Sequence, residues 1–333
     1  MVLVTGGTGL LGSHLLFDLL QKGEKVKAIK RQNSNLETVL KTFSYYSSKA
    51  QEYFDHIEWV DAELNDYYSL EEALRGVKKV YHCAAVVSFH KKDQALMHET
   101  NVIGTRNMVN ACLHQKIDKF VYVSSIAALG RAGHDEITTE KTPWKDSDKT
   151  SPYSISKYGG ELEVWRAIAE GLPAVIVNPS VILGPGDWSK GSPELFTLVN
   201  KGLKFYTHGT NGYVYVRDVS QVMIELMESN IIEERFIVNG EDLSYLELFN
   251  MIAKSLKKKA PTVEVKPWMI AFAWRAYKVK SWFTGNAPAV TKATARSSMQ
   301  HYSYSSDKLN SAIDFNYTAL QRGIQLTADC FKV

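Results

Sequence analysis

Cysteine is scarce in this sequence: Cys83, Cys112 and Cys330 are three in 333 residues, far apart, odd in number and outside any C-x-x-C or Cys/His spacing. That excludes a disulfide framework and a zinc site, so no metal is expected, and it suits a reducing, cytoplasmic setting. Charge of one sign is equally short. The 39 Lys and Arg against 36 Asp and Glu leave +3 without long basic blocks, which gives no case for nucleic acid as a partner. No uninterrupted apolar run reaches the length that spans a bilayer. With the first strand beginning at residue 2, no leader is expected. Internal repeats and low-complexity stretches are also missing.

What is present begins at once. Val2, Leu3 and Val4 read as a buried strand, and a helix opens at Leu10 and continues through Leu11, Leu15, Leu16, Leu19 and Leu20. Between them lies a glycine turn that fits two registers, Gly7-Gly9-Gly12 as G-x-G-x-x-G and Gly6-Gly9-Gly12 behind Thr5. Strand, glycine turn and helix is the order a dinucleotide site needs: the turn bends sharply, the backbone meets a pyrophosphate, and helix N–H groups point at the charge.

Further strands are expected at 25–30, 57–60, 77–82, 119–123 and 174–177. They are separated by one long helix over 35–55, a helix over 69–75 with Glu71 and Glu72 in its first turn, a long helix over 93–115 and one over 151–171. This alternation predicts an α/β fold with a parallel, doubly wound (Rossmann) sheet over residues 1–178. Residues 179–187 read as a loop, and strands at 213–216 and 235–238 flank a helix and rejoin the main sheet, so that 213–240 belongs with it. Residues 179–212 and 241–333 build a smaller, mostly helical C-terminal substrate lobe.

The end of the second strand decides the cofactor. An acid about 20 residues past the glycines would serve the ribose hydroxyls of NAD; Lys30, Arg31 and Gln32 stand there instead, which favours the 2′-phosphate of NADP(H) over NAD(H), with Arg31 as its partner. At the end of the fourth strand Ala84 and Ala85 leave room for a ligand.

Tyr153 and Lys157 form Y-x-x-x-K at the start of a helix, on one face and one turn apart. A free phenol titrates near 10, and a neighbouring ammonium lowers that value, so tyrosine can serve as general acid or base. One helix earlier a strand ends in Ser124 and Ser125. Ser125 is placed to donate to the oxygen of a substrate carbonyl, with Ser124 facing the nicotinamide.

T-G-G-T-G-L-L-G at 5–12, H-C-A-A at 82–85, E-T-N-V-I-G-T at 99–105, S-S-I-A-A-L-G at 124–130, Y-S-I-S-K at 153–157 and N-P-S-V-I-L-G-P-G at 178–186 together resemble the extended short-chain dehydrogenase/reductase (NAD-dependent epimerase/dehydratase) family. Order and spacing agree from residue 1 to about 240. The likeness is greatest to the dihydroflavonol 4-reductase, cinnamoyl-CoA reductase and 3β-hydroxysteroid dehydrogenase branch. It implies Gly6, Thr8, Gly9, Leu10, Leu11 and Gly12 at the dinucleotide, with Gly7 incidental. It further implies Glu63 and Leu64 beside adenine, Pro179 near the nicotinamide, Lys157 on the nicotinamide ribose and lowering the Tyr153 pKa, Ser125 on the carbonyl, and Tyr153 as acid/base. The sugar-nucleotide epimerases carry a tyrosine before the glycine of the serine motif; Leu129 stands there in this chain.

These features predict an NADP(H)-dependent oxidoreductase interconverting a ketone or aldehyde and an alcohol. Phe205, Tyr206, Trp268, Phe272 and Trp274 suggest a small apolar substrate. The segment from Trp268 to Trp282, rich in Trp, Phe and Tyr with Arg275, Lys278 and Lys280, reads as a helix over the substrate pocket rather than on a membrane surface. The alternatives are a nucleotide-sugar epimerase or dehydratase with tightly bound NAD, which Lys201, Lys204 and Arg217 leave open, and a non-catalytic dinucleotide-binding regulator. A homodimer through the helices at 93–115 and 151–171 is possible within the family.

Overall fold

The computed structural model describes residues 1–132, 136–145, 150–266, 269 and 298–331. The expectations placed on Trp268, Phe272, Trp274 and the rest of the segment to Trp282 lie outside the described residues, Met269 apart.

The chain runs β1 (Val2–Thr5), α1 (Leu10–Gln21), β2 (Val26–Lys30), α2 (Glu37–Ser44), α3 (Ala50–Asp55), β3 (Glu58–Asp61), α4 (Tyr67–Ala73) and β4 (Lys79–His82). Next, α5 (Gln94–His98) passes through a π turn at Glu99–Ile103 into α6 (Gly104–Gln115), followed by β5 (Lys119–Val123), β6 (Ile137–Thr138), α7 (Pro152–Ala169), β7 (Ala174–Pro179) and β8 (Val181–Leu183). The remainder is α8 (Glu194–Asn200), β9 (Phe205–Tyr206), β10 (Thr210–Tyr215), α9 (Val216–Glu228), β11 (Glu234–Val238), β12 (Glu241–Ser244), α10 (Tyr245–Leu256), β13 (Val263–Glu264), β14 (Ser303–Tyr304), α11 (Asp307–Ala312) and α12 (Leu320–Phe331).

The main sheet has seven parallel strands in the order β11-β7-β5-β4-β1-β2-β3. The winding reverses between β1 and β4, and in such sheets a ligand sits beyond the strand ends at that crevice. Strand periodicity divides the core between the two faces. Val2, Val4 and Val121 face α1, α2, α3 and α9, while Leu3, Phe120 and Tyr122 face α4, α6 and α7. A third core, containing Leu183, Phe196, Tyr213, Leu248, Ile252 and Ile324, lies in the C-terminal lobe.

Several expected elements differ. The single helix over 35–55 is two, because the turn between α2 and α3 brings Phe43, Tyr46 and Tyr53 around Phe17, with ring centroids 5.3, 5.4 and 5.5 Å away. The helix expected from Ser69 starts at Tyr67, since the Asp66 carboxylate accepts from the N–H groups of Tyr68 and Ser69; Glu71 and Glu72 therefore fall beyond its first turn. The π turn interrupts the helix over 93–115, leaving Leu96 50% exposed and turning Asn101 fully inward. Of the two strands expected to rejoin the main sheet, only β11 does. β10 pairs instead with β8 and β12 in a three-stranded sheet, so the C-terminal lobe has a sheet of its own and the stretch 179–187 is partly strand.

Candidate active site

Gly6 sits at φ 68°, and a Cβ there would lie 2.6 Å from the Ala84 nitrogen. A Cβ on Gly12 would lie 2.2 Å from the Gly6 oxygen, the same oxygen that accepts from the Gly9 N–H at 2.9 Å. Three glycines therefore meet at one carbonyl, in the Gly6-Gly9-Gly12 register. Gly7 has a different part: a Cβ there would press on Leu16 Cδ1, so its bareness serves the packing of α1 on the turn.

Helix α1 begins at Gly9 without a side-chain cap, which leaves its first-turn N–H groups for an anion. This cradle, which a single Cβ would fill, fits the pyrophosphate of a dinucleotide. Thr8 and Leu10 lie partly exposed at its mouth, whereas the Leu11 side chain is in the core and could offer a ligand only backbone. The Thr5 hydroxyl ties the turn to the next strand end, bonding His82 Nδ1 at 2.7 Å and accepting from the Ala84 N–H at 3.2 Å. Ala84 is partly buried and Ala85 exposed beside it.

At the end of β2, exposed Arg31 lines a cleft with Gln32, Asp61, Ala62, Glu63, Asp66 and Ser69. Lys30 is paired with Asp61, and Asp66 is occupied in capping α4. Arg31 has no ion pair among the described residues. The exposed Glu63 is held through its N–H by Ser69, and the Leu64 carbonyl accepts from Asn107. Asn101 is a clamp: its side chain donates to Val86 O and Ser156 Oγ and accepts from the Val86 N–H, fixing the segment after β4 against α7.

Ser125 follows β5 and begins a short 3-10 turn over Ile126–Ala128. Ser151 caps α7, with Pro152 opening the helix, which sets Tyr153 and Lys157 on its inner face. Tyr153 is partly buried, its phenol set towards the Ser125 hydroxyl and its ring edge-on to Phe89 at 5.8 Å. Lys157 is 2% exposed and donates to Val123 O at 2.8 Å and Tyr122 OH at 3.3 Å, with its ammonium over the Tyr122 ring. Pro179 is buried at the end of β7, opposite Val238.

Two expectations are corrected here. The Ser124 hydroxyl is turned inward and donates to Glu161 at 2.6 Å, so that side chain is not free to face a nicotinamide. The Tyr153 phenol is not lowered: burial pushes it up, and the neighbouring Ser125 hydroxyl pulls it only partly back. The Lys157 ammonium is directed instead at Val123 and Tyr122. Burial brings Lys157 down to about 8, opposed by the charge of Glu161 and then by Cys83.

Motif spacing did not single out Tyr122, Glu161, Asn178, Arg235 or Phe89. Glu161 had a readable signal, since it stands four residues after Lys157 on the same helix face. The others come from separate strands and one loop, and only the tertiary fold brings them together.

His82 lies beneath this site with Thr5 and Thr105 hydroxyls on its two ring nitrogens. Burial, then the nearby Lys157 charge, lowers it to about 3; burial lowers His14, beside Tyr46, to about 4. Both imidazoles stay neutral in the folded chain while the unfolded chain takes up protons below about 6.5. The unfolded state thus binds more protons in that window, and stability falls as pH drops from about 6.5 towards 4. The expected result is a Tm that declines steeply between those values; replacing His14 by a neutral residue of similar size flattens the decline. A Tm independent of pH across the window contradicts the assignment.

The fold and site define the class. Residues 2–239 match the model of the NAD dependent epimerase/dehydratase family, and the chain belongs to that family. A protein of Synechocystis sp. described as a putative dihydroflavonol 4-reductase is 28% identical over 313 residues, covering 92% of this chain and 87% of its own. The crystal structure of gox2253 is 29% identical, with a TM-score of 0.82 and coverage of 100% of this chain and 98% of that one. UDP-glucose 4-epimerase of Thermus thermophilus, solved with NAD, is 25% identical at a TM-score of 0.75, covering 99% and 98%. The family and these relatives place the chain among enzymes that work with a nicotinamide dinucleotide. Among the described residues no helix is long and apolar enough to cross a membrane.

Proposed function

We propose that this protein is an NADP(H)-dependent oxidoreductase that interconverts a ketone or aldehyde and an alcohol on a small apolar substrate. The observation that carries the reading is the Tyr153 phenol set towards the Ser125 hydroxyl, with the Phe89 ring edge-on to it. A carbonyl oxygen entering between those two hydroxyls meets two O–H donors. Ser125 steadies the negative charge that grows on the oxygen, and Tyr153 hands over its proton as the oxygen becomes an alcohol. The bound nicotinamide supplies the hydride in reduction and takes it up in oxidation. A phenol raised by burial remains protonated at neutral pH, which is the form an acid needs. Lys157, with its ammonium anchored on Val123, holds the neighbouring positive charge.

The wall at Phe89 and Val87, 45% and 62% exposed on the segment that Asn101 clamps, offers apolar surface rather than charge to the substrate. Leu129 supports a reductase over an epimerase, because its 3% exposed side chain brings no hydroxyl to the site. The likeness to UDP-glucose 4-epimerase favours the second reading, exchange at a sugar carbon with NAD retained.

For the dinucleotide, Arg31 in its exposed cleft, without an ion pair among the described residues, supports NADP(H). A charge-assisted bond of this kind is worth about 1.5–3 kcal/mol, or roughly tenfold or more in affinity. Arg31→Ala is expected to weaken NADPH by that factor and to leave NADH within about twofold. Fluorescence titration with the two nucleotides decides it, and an equal loss for both removes the phosphate role.

A further inference from the structure

We propose that Glu161 is a positioning residue that holds Lys157 charged and Ser125 in place from beneath the site; this rests on the proposed reductase reading. Glu161 is 1% exposed, and its carboxylate is the hub of a buried network. One oxygen accepts from Ser124 Oγ at 2.6 Å and from Asn178 Nδ2 at 2.8 Å, and the other from Arg235 at 2.9 Å and Trp165 Nε1 at 3.4 Å. Asn178 Nδ2 also donates to the Ser125 carbonyl at 3.0 Å. Both partners of that amide nitrogen are acceptors, so the Asn178 side chain can be turned only one way, and its buried oxygen is left without a partner.

The carboxylate thus reaches the reacting groups along two lines. Through Asn178 and Ser124 it fixes the backbone at the ends of β5 and β7, from which the Ser125 hydroxyl projects. Along α7, one turn from Lys157, it supplies the negative charge that opposes the loss of the buried ammonium's proton. The groups around that ammonium are Tyr122 and Cys83 from the sheet, His82 behind Tyr122, and Glu161 on α7; Tyr153 lies one turn back on the helix. His82 is neutral, and burial holds the Cys83 thiol up at about 12 and the Tyr122 phenol higher still. Glu161 is the one carboxylate among them. Its own charge is balanced from β11 by Arg235, which also donates to the Glu140 carbonyl.

A purely structural Glu161 would lower stability or rate by one factor at every pH. A positioning Glu161 moves the pH at which Lys157 loses its proton. In Glu161→Gln, the alkaline limb of kcat/KM is expected to shift at least one pH unit lower. Glu161→Asp, which keeps the charge, leaves the limb within a few tenths of wild type. Asn178→Ala, which cuts the link to Ser125 and spares the charge, lowers kcat about tenfold or more with the limb in place. In parallel, NMR titration of full-length protein labelled with 15N-lysine follows the Lys157 ammonium, identified by its loss in Lys157→Met. The same downward shift in Glu161→Gln is expected there without any substrate. A Lys157 titration unmoved by Glu161→Gln overturns the proposal, as does a limb that moves equally in Glu161→Asp. A Lys157 titration that shifts in Glu161→Gln while the wild-type protein turns over no carbonyl substrate refutes the reductase reading and leaves the Glu161–Lys157 coupling standing.

Discussion

Tyr153→Phe is expected to lower kcat by about a thousandfold, or roughly 4 kcal/mol of barrier, while dinucleotide affinity stays within about threefold. The split follows from where the atoms lie. The phenol oxygen meets Ser125 and, on the proposed reading, the substrate oxygen, but the glycine cradle and the Arg31 cleft are built from other elements. Phenylalanine keeps the ring that stands edge-on to Phe89, so the pocket wall is preserved and only the proton is lost. The KM for an apolar carbonyl substrate should therefore change far less than kcat. Stopped-flow measurement of nicotinamide oxidation gives both quantities. Undiminished turnover would remove Tyr153 from the chemistry and send the search for the acid to another group.

The second large effect is on the cradle itself. Gly12→Val is expected to abolish measurable dinucleotide binding and to lower Tm, because its Cβ would fall 2.2 Å from the Gly6 oxygen and 2.8 Å from the Gly6 carbonyl carbon. Those are backbone atoms of the turn that, on the proposed reading, meets the pyrophosphate, so relief comes only by opening the turn. Gly23→Ala provides the comparison. Gly23 lies just past the other end of α1 at φ 79°, with nothing within 4 Å of its would-be Cβ, so alanine there meets backbone strain and no clash. It should cost about 1–2 kcal/mol of stability and leave binding intact. A Gly12→Val protein that binds NADPH like wild type refutes the placement of the dinucleotide on this turn.

Where local chemistry dictates structure, the sequence was legible. The apolar run at Val2–Val4, the glycines after it and the leucine periodicity of α1 are each short-range signals, and they agree with one another. So does the alternation that yields the parallel sheet. Legibility failed where distant contacts decide. The break between α2 and α3 exists because three aromatic rings close on Phe17, and nothing in residues 45–49 announces it. The π turn that buries Asn101 is recognisable only from the groups Asn101 satisfies, the Val86 backbone and the Ser156 hydroxyl. β10 lies in a separate sheet because β8 and β12 are available to it, a matter of tertiary pairing that strand propensity does not contain. On α7, Y-x-x-x-K gave the spacing of Tyr153 and Lys157 on one face but not the direction of the ammonium, which is set by Val123 and Tyr122 on a neighbouring strand. The inward turn of Ser124 was hidden for the same reason, since its acceptor Glu161 is 37 residues away.

On the proposed function, hydride and proton pass between NADPH and an apolar carbonyl compound, with Tyr153 supplying the proton. The direct measurement is product analysis after mixing purified protein with NADPH deuterated at C4 and a panel of small apolar ketones and aldehydes, alongside UDP-glucose. The prediction is an alcohol carrying deuterium at the former carbonyl carbon, formed one for one with NADP and lost in Tyr153→Phe. A protein that purifies with NAD already bound, interconverts the sugar nucleotide and leaves every ketone and aldehyde unreduced would contradict it.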